Sequence, residues 1–207
     1  MDVTCGSTWF HTVKKKTPIV WNQQIKNGNF DGTSFWYPIS ATFTASNNIG
    51  YLTANTQYGR IGGESFNLKA NHKYYIHSYV SDSNVKMQLR YKDETNSVFS
   101  VAPENNYINV VAESSGDIQV YVRFLDFRSS GWTTVGISDV MVCDLTQMFG
   151  SDAAIVAALG LDSVSDITAK SGAKAVAAFH ILFPQEYYAH RTQPPKSNPN
   201  PFGIFPQ

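Results

Sequence analysis

Residues Tyr74–Tyr91 read YYIHSYVSDSNVKMQLRY, two alternating runs joined by a polar turn. In the second run, Val85–Tyr91, the residues Val, Met, Leu and Tyr alternate with Lys, Gln and Arg. Because successive side chains of a strand point to opposite faces, this alternation predicts a strand with one core face and one solvent face. The first run alternates in the same way, with Tyr75, His77 and Tyr79 on one side. The stretch therefore predicts two consecutive strands, each solvated on one side.

The same period-two pattern recurs between residues 25 and 144. Ile118–Phe124 places Ile, Val, Val and Phe on one face, and Val135–Val142 reads as a last apolar strand that Asp139 interrupts, at a predicted bulge. Turn dipeptides such as Asn27-Gly28 and Asn47-Asn48 separate the short runs. Short alternating strands with frequent turns are typical of a β-sandwich or a barrel, so the fold class is predicted to be mainly β.

Residues 145–190 change in character and predict a helical docking segment. Ala153–Leu159 reads as a short helix ended by Gly160, and Ala173–Phe183 reads as an Ala-rich helix stopped by Pro184. The second helix carries one apolar stripe, so it must lie on another surface.

The two ends of the chain, residues 1–24 and 191–207, predict an assembly arm and a Pro-rich extended tail. Neither segment can bury enough of itself to offset the entropy of ordering, so we expect neighbouring subunits of a homo-oligomer to hold them. The candidate assembly contacts are large aromatic residues in the arm, the helical segment and the tail: Trp9, Phe10, Trp21, Phe149, Phe183, Tyr187, Tyr188, Phe202 and Phe205.

Composition excludes several classes of function. The net charge is zero and charged residues make up 15% of the chain, which gives no electrostatic footprint for nucleic acid. No apolar run is long enough for membrane insertion, and the N-terminus lacks the pattern of a signal peptide, so synthesis in the cytoplasm is expected. Cys5 and Cys143 lie in unlike contexts, which predicts no disulfide. No nucleophile elbow, phosphate loop or metal-ligand spacing occurs, so neither an enzyme nor a cofactor is expected.

The polar faces of three predicted strands are the candidate binding site. If these strands share a sheet, their outer faces bring together tyrosine rings, which stack on sugars, and Gln and Arg side chains, which hydrogen-bond hydroxyls. The candidate carbohydrate-binding residues are Tyr75, His77, Tyr79, Gln88, Arg90, Tyr121 and Arg123. Two other interpretations stay open: aromatic residues suit any exposed sheet, and the face could be buried under a neighbouring subunit.

Residues 25–142 resemble carbohydrate-binding modules of the family 4/9/22 type. The matching segments are the opening Ile25–Asp31 with Trp36 after it, Leu68–Ile76, and the close Val135–Val142. The resemblance implies a jelly-roll β-sandwich over residues 25–144 and a glycan ligand. It also implies a structural calcium site near Asp31 and Asp139.

A second resemblance is to virion proteins of tailed bacteriophages, especially tail and fibre-associated ones. It rests on Asp144–Gly150, which reads DLTQMFG, on Leu182–Ala189, which reads LFPQEYYA, and on the lead-in Pro18–Gln23. Ser151–Ser171 is longer and richer in Ala than in that family. The resemblance implies a small accessory or tail-associated virion subunit whose partners are other virion subunits and a cell-surface glycan.

Three hypotheses follow. The first is a structural virion protein whose jelly-roll binds host or environmental glycans. The second is a stand-alone carbohydrate-binding module of a glycan-active system. The third is a purely structural subunit whose aromatic face is buried in a homo-oligomer. Exposure of that face in the assembled state distinguishes them.

Overall fold

The structure is a computed structural model that describes residues 22–93 and 97–182. Most of the predicted assembly contacts lie outside these residues, so they stay predictions. They are Trp9, Phe10, Trp21, Phe183, Tyr187, Tyr188, Phe202 and Phe205.

Two five-stranded antiparallel sheets pack face to face in the described part of the chain. In chain order the strands are β1 Trp36–Ile39, β2 Ala41–Ser46, β3 Ile49–Ala54, β4 Arg60–Leu68, β5 Lys73–Val80, β6 Val85–Tyr91, β7 Ser97–Val101, β8 Tyr107–Glu113, β9 Ile118–Asp126 and β10 Val135–Asp144. Sheet A has the order β2-β3-β10-β5-β8 and sheet B the order β1-β4-β9-β6-β7. The predicted fold class, a mainly β jelly-roll sandwich, is confirmed.

Local sequence signals account for several strand boundaries and turns. Asn47 and Asn48 both have positive φ (52° and 61°) and join β2 to β3, as in the two-residue turns that suit hairpins. The predicted bulge in β10 is also present. The register with β5 shifts between Ser138 and Met141, and Asp139 has a φ of 56°. The extra residue changes which side of the strand the following side chains occupy.

The main core lies between the inner faces of the two sheets. Trp36 packs against Phe30, with ring centroids 4.9 Å apart, and against Phe124 at 6.0 Å. The apolar side chains of the alternating runs fill the rest, including Ile76, Val122 and other inward residues that are almost fully buried. Burial of this apolar surface is the main stabilising contribution to the sandwich.

Within residues 145–182, three helices follow β10. They are α1 Leu145–Phe149, α2 Asp152–Leu159 and α3 Ala173–Leu182, with 3₁₀ turns at Val164–Asp166 and Ala169–Gly172. Asp144 and Ser151 cap the first two by accepting from the backbone N–H of Gln147 and Ala154, and Gly160 ends α2 in the left-handed conformation. The two predicted helices are confirmed to within one residue at each described end. No helix in residues 22–93 and 97–182 is long and apolar enough to cross a membrane.

The helices form a layer on the outer side of sheet A and enclose a second core. This core includes Tyr75 of β5, Val111 of β8, Cys143 of β10, Ile155 of α2 and Phe179 of α3. Gly172 lets the layer approach the sheet closely. Its φ is +72°, and a Cβ there would lie 2.5 Å from the Cβ of Val111. The apolar stripe of α3 thus packs on the chain's own sandwich.

Candidate functional site

The seven predicted carbohydrate-binding residues do not share a sheet. Tyr75, His77 and Tyr79 lie on β5 in sheet A, whereas Gln88 and Arg90 lie on β6, in sheet B. Tyr121 and Arg123 lie on β9, also in sheet B. The expectation that all seven form one surface is therefore wrong, because consecutive strands β5 and β6 cross from one sheet to the other. The two groups face opposite sides of the molecule.

The helical layer buries much of the outer side of β10, β5 and β8, and we call this side the covered face. Tyr75 is 0% exposed and His77 is 1% exposed. The ring of Tyr75 stacks on Phe179 of α3 with centroids 4.2 Å apart, and its hydroxyl lies 2.7 Å from Nε2 of His180. These two residues are closed off from any glycan by the helical layer, which contradicts their predicted exposure.

A polar network ties the covered face to α3. Oδ1 of Asn109 lies 2.5 Å from Nδ1 of His77 and 3.2 Å from Nε2 of His180. The pKa of His77 is lowered to about 4, mainly by burial and also by the nearby His180, although the Asn109 hydrogen bond and the charge of Asp139 act in the opposite direction. Burial also lowers the pKa of His180. Both rings are therefore neutral at pH 7, which suits their buried position.

The outer side of sheet B is different, and we call it the open face. No described helix packs on it within residues 22–93 and 97–182. The strand register places one row of side chains across all five strands, in the order Tyr37, Gly62, Arg123, Gln88 and Ser100. Neighbouring strands are about 4.8 Å apart, so this row spans roughly 19 Å.

Two further rows flank this one. The first consists of Ile39, Arg60, Leu125 and Lys86, and the second contains Ser65, Tyr121 and Arg90. Arg60, Arg123 and Arg90 thus lie on a diagonal across the three central strands β4, β9 and β6. Four of the predicted sugar-binding residues, Gln88, Arg90, Tyr121 and Arg123, are brought together here.

Arg123 is the centre of the open face. Its Nε donates to Oε1 of Gln88 at 2.7 Å, and Nε2 of Gln88 donates in turn to Oγ of Ser100 at 3.1 Å. Burial lowers the pKa of the Arg123 guanidinium and the charges of Arg90 and Arg60 lower it further, against Tyr121, which raises it. The three guanidinium groups are therefore close enough to act on one another, and Arg123, 7% exposed, is held in place by its neighbours.

Gly62 makes room for an aromatic ring on the open face. A Cβ at this position would lie 3.0 Å from Cε2 of Tyr121, so the tyrosine ring rests over the glycine backbone. Tyr37 stands directly opposite Gly62 on the edge strand and is 56% exposed. Two tyrosines thus adjoin the same gap in the row, beside the arginine cluster.

A shallow depression adjoins this face at the end of β6 and the start of β9. Its volume is about 590 Å³, and it is lined by Tyr91, Lys92, Asp93, Asp117, Ile118 and Gln119. Gln119 lies on the same side of β9 as Tyr121 and Arg123, so the depression continues the open face toward the edge of the sandwich.

The two residues expected near calcium, Asp31 and Asp139, lie in different surroundings. No cluster of three or more His, Cys, Asp or Glu side chains that could hold a metal ion occurs in the described ranges. Asp139 accepts a 2.8 Å hydrogen bond from its neighbour Ser138, and Asp31 is exposed. The calcium site that the resemblance implies near Asp31 and Asp139 therefore stays a prediction.

Two other sequence predictions fall in the helical layer. Phe149, predicted as an assembly contact, is half-buried against the second core of its own chain. Cys143 is buried, and burial raises the pKa of its thiol. Both residues therefore have packing roles inside the chain.

Sequence reasoning missed three residues of the open face, Tyr37, Arg60 and Gly62. Arg60 and Gly62 are two apart, so the period of a strand places them on one side together. Tyr37 follows the core residue Trp36 and must therefore point outward. The local pattern indicates the outward direction of each side chain. The pairing of β1 and β4 with β9 was needed to bring the three residues to the same surface.

The chain is similar to known protein structures in its fold. No protein-family profile matches the chain, and no curated protein matches its sequence. Solved structures with a similar fold include an arabinose-bound α-L-arabinofuranosidase, at 12% identity and a TM-score of 0.47. The match covers 60% of this chain, which spans 26% of that enzyme.

Carbohydrate-binding modules of family 29 are also similar in fold. A point mutant of one has 15% identity and a TM-score of 0.40, over 59% of this chain and 89% of the module. Another mutant, complexed with cellulohexaose, has 14% identity and a TM-score of 0.40, over 61% and 91%. At identities and TM-scores this low, the likenesses carry no conclusion about ligand or activity.

Proposed function

We propose that this protein is a non-catalytic glycan-binding module that holds an oligosaccharide on the open face of sheet B. The observation that carries the proposal is the row Tyr37, Gly62, Arg123, Gln88 and Ser100, which crosses the whole sheet with aromatic and hydrogen-bonding groups side by side. Sugar rings offer apolar C–H faces to aromatic rings and hydroxyl groups to amide and guanidinium groups. In this row Tyr37 and Ser100 are exposed, and Gln88 and Arg123, each 7% exposed, lie between them.

The order of the face favours binding with little reorganisation. Arg123 is held by Gln88, and Gln88 is held by Ser100, so these donors are positioned before a ligand arrives. They also lie on strands, which place side chains more rigidly than loops do. Preorganised groups lose less conformational entropy on binding, which supports useful affinity from a shallow surface.

A glycan array with matched tyrosine variants tests the proposal. Tyr37→Ala removes an aromatic ring from the open face, and Tyr107→Ala removes one from β8, at the opposite side of the molecule. Tyr37 is 56% exposed and Tyr107 47% exposed, so the two substitutions are comparable in exposure. We expect Tyr37→Ala to weaken glycan binding about fivefold, which corresponds to on the order of 1 kcal/mol, and Tyr107→Ala to leave it unchanged. Equal effects of both variants, or no bound glycan with the wild-type chain, would overturn the proposal.

A virion setting is a second proposal, and the resemblance of Asp144–Gly150 and Leu182–Ala189 to phage virion proteins supports it. In the described part of these segments, α1 contributes Leu145 and Met148 to the second core of its own chain. In a virion, the predicted assembly contacts of the arm and tail would bind other virion subunits or further copies of this chain. Mass spectrometry of purified phage particles tests this. Peptides of this chain in fixed ratio to the major virion proteins would support it, and their absence would contradict it.

A further inference from the structure

We propose that two copies of this chain associate through the edge of β2, Ala41–Ser46, so that their sheets A join into one continuous antiparallel sheet. The proposal comes from the place of β2 at the end of sheet A, where it pairs with β3 on one side only. It goes beyond glycan binding, because the edge of β2 is not part of the open face of sheet B.

The outward backbone groups of β2 belong to alternate residues. A two-residue turn joins β2 to β3 at the pair Ser46 and Ile49. In such a hairpin the residues that flank the turn exchange backbone hydrogen bonds, and bonded pairs recur at every second residue. The N–H and C=O groups of Ala41, Phe43 and Ala45 therefore point away from β3. Within residues 22–93 and 97–182, no other strand pairs with them.

The sequence around β2 permits the approach of a second copy. Residues 32–59, which include β1, β2 and β3, contain no Asp, Glu, Lys, Arg or His. Edge strands are commonly protected from pairing by a charged side chain, a proline or a bulge, and β2 has none of these. By contrast, β1 contains Pro38, which lacks an N–H, and β8 ends at Glu113. Two β2 edges can therefore meet without bringing like charges together.

One register satisfies the outward groups of both copies. In an antiparallel pair about a two-fold axis, Phe43 lies opposite Phe43 of the second copy, and Ala41 lies opposite Ala45. Residues that face each other in this way exchange two backbone hydrogen bonds per pair. A shift of two residues in either direction would place one outward residue of each strand opposite a residue outside β2. The contact is self-complementary, as a two-fold symmetric dimer requires.

Side chains on both sides of β2 suit this register. Phe43 points inward, lies 5.8 Å from the ring of Phe30 between centroids, and is only partly buried. A second Phe43 beside it would cover apolar surface at the rim of the core. Thr42 and Thr44 are exposed on the outer side, and each would lie opposite the other in the second copy. A single strand edge is a small interface, so we expect a weak dimer.

The described start of the chain lies away from β2, which favours a second copy over the chain's own N-terminal arm. The backbone C=O of Asn22 accepts from the N–H of Asp144, and Gln23 bridges to Cys143. These contacts are at the C-terminal end of β10, whereas β3 pairs with residues 135–137 at its other end. The chain therefore enters sheet A roughly 20 Å along β10 from the strand pair that ends in β2.

Two pairs of charge substitutions test the contact. Thr42→Lys with Thr44→Lys places lysines opposite one another across the proposed axis, and Thr42→Asp with Thr44→Asp does the same with carboxylates. Sedimentation equilibrium of the full chain over roughly 1–100 µM measures association. We expect the wild type to form a dimer and each doubly substituted chain to dimerise about tenfold more weakly. An equimolar mixture of the two should recover at least the wild-type affinity, because opposite charges then face each other.

The control adds the same charge elsewhere. Ala153→Lys with Ala157→Lys changes two exposed positions of α2, in the helical layer, and should leave dimerisation unchanged. Thermal unfolding of each variant checks that folded chains are compared. Amide hydrogen exchange gives a second readout, since the N–H groups of Phe43 and Ala45 should exchange more slowly as the concentration of the wild-type chain rises.

Three results would overturn the proposal. The first is a wild-type chain that stays monomeric over the whole concentration range. The second is an oligomer that the substitutions at Thr42 and Thr44 leave intact, which would place the contact on another surface, such as the predicted arm and tail. The third is weaker association of both charge variants with no recovery in their mixture, which would contradict the antiparallel pairing of two β2 strands. None of these results bears on glycan binding by the open face.

Discussion

The outer faces of the two sheets share the same alternating strand pattern, but the helical layer covers only one of them. Tyr75 and His77 alternate with core residues along β5, and Tyr121 and Arg123 do so along β9. The first pair is sealed under α3, whereas Tyr121 remains half-exposed beside an arginine cluster. The helical layer covers the first face, whereas no helix of the described residues packs on the second.

The difference follows from the chemistry of the outward residues. On the covered face, uncharged groups such as Tyr75, Met141 and Cys143 can be desolvated at little cost and pack against apolar helices. On sheet B the outward residues include three arginines, whose charged groups are more costly to desolvate than apolar ones. Packing of apolar helices is therefore favoured on sheet A over sheet B.

The largest expected effect is on the covered face. Phe179→Ala removes a ring that is 0% exposed and stacks on Tyr75. We expect the free energy of unfolding to fall by about 3–5 kcal/mol, because the loss of transfer free energy is joined by an unfilled cavity. Chemical denaturation measures this. Ile181→Ala, on the same helix but 78% exposed, is the control and should change stability by less than about 0.5 kcal/mol. Similar effects of the two variants would mean that α3 does not pack as described.

Acid should destabilise the covered face. Above pH 6.5, His77 is neutral in both the folded and the unfolded chain and adds no pH dependence. As the pH falls from 6.5 toward about 4, the unfolded chain binds a proton that the folded chain does not, so stability falls. The loss approaches on the order of 3 kcal/mol.

Unfolding free energies measured by denaturant titration at several pH values check this expectation. His77→Gln removes the titrating group while keeping a donor for Asn109, so its curve should be flatter than that of the wild type over the same interval. The pKa of His180 is also lowered by burial, so its titration destabilises the folded chain in the same direction. The stability of the His77→Gln variant should therefore keep a smaller dependence on pH. Parallel curves for wild type and variant would contradict the buried, neutral state of His77.

A smaller effect is expected from the hydroxyl that joins the sheet to α3. Tyr75→Phe keeps the ring stacked on Phe179 and removes the group that lies 2.7 Å from Nε2 of His180. We expect a loss of about 1–2 kcal/mol, since a buried imidazole nitrogen loses a hydrogen-bond partner. Thermal and chemical unfolding measure it. A stability equal to that of the wild type would show that Asn109 alone satisfies His180.

The smallest effect on stability should come from the open face. Tyr37→Ala removes an edge-strand ring that is 56% exposed, and we expect a change within about 0.5 kcal/mol in the free energy of unfolding. The same variant is expected to weaken glycan binding, so stability and binding should separate. A loss of stability as large as that of Tyr75→Phe would show that the open face is part of the core, and would remove the contrast between the two faces.

Much of the fold could be predicted from local patterns. The bounds of β6 and the bulge at Asp139 follow from side-chain period and a polar interruption, and the end of α2 follows from Gly160. Only part of the candidate site could be predicted. The strand pattern alone led to the expectation that Tyr75 and His77 share one surface with Tyr121 and Arg123, and the structure separates the two pairs. One local signal did point to the covered face. Val140–Cys143 is a continuous apolar run, which is typical of a strand buried on both sides.

The sequence by itself determined which side chains share a face of each strand, because the period of two is set by backbone geometry within the strand. It also determined that the C-terminal helix needs an apolar surface to lie on. Only the tertiary structure decided that β5 and β6 belong to different sheets, that the helical layer covers Tyr75 and His77, and that Arg60, Arg90 and Arg123 meet. Strand pairing joins residues far apart in the chain, so it depends on how the whole core packs.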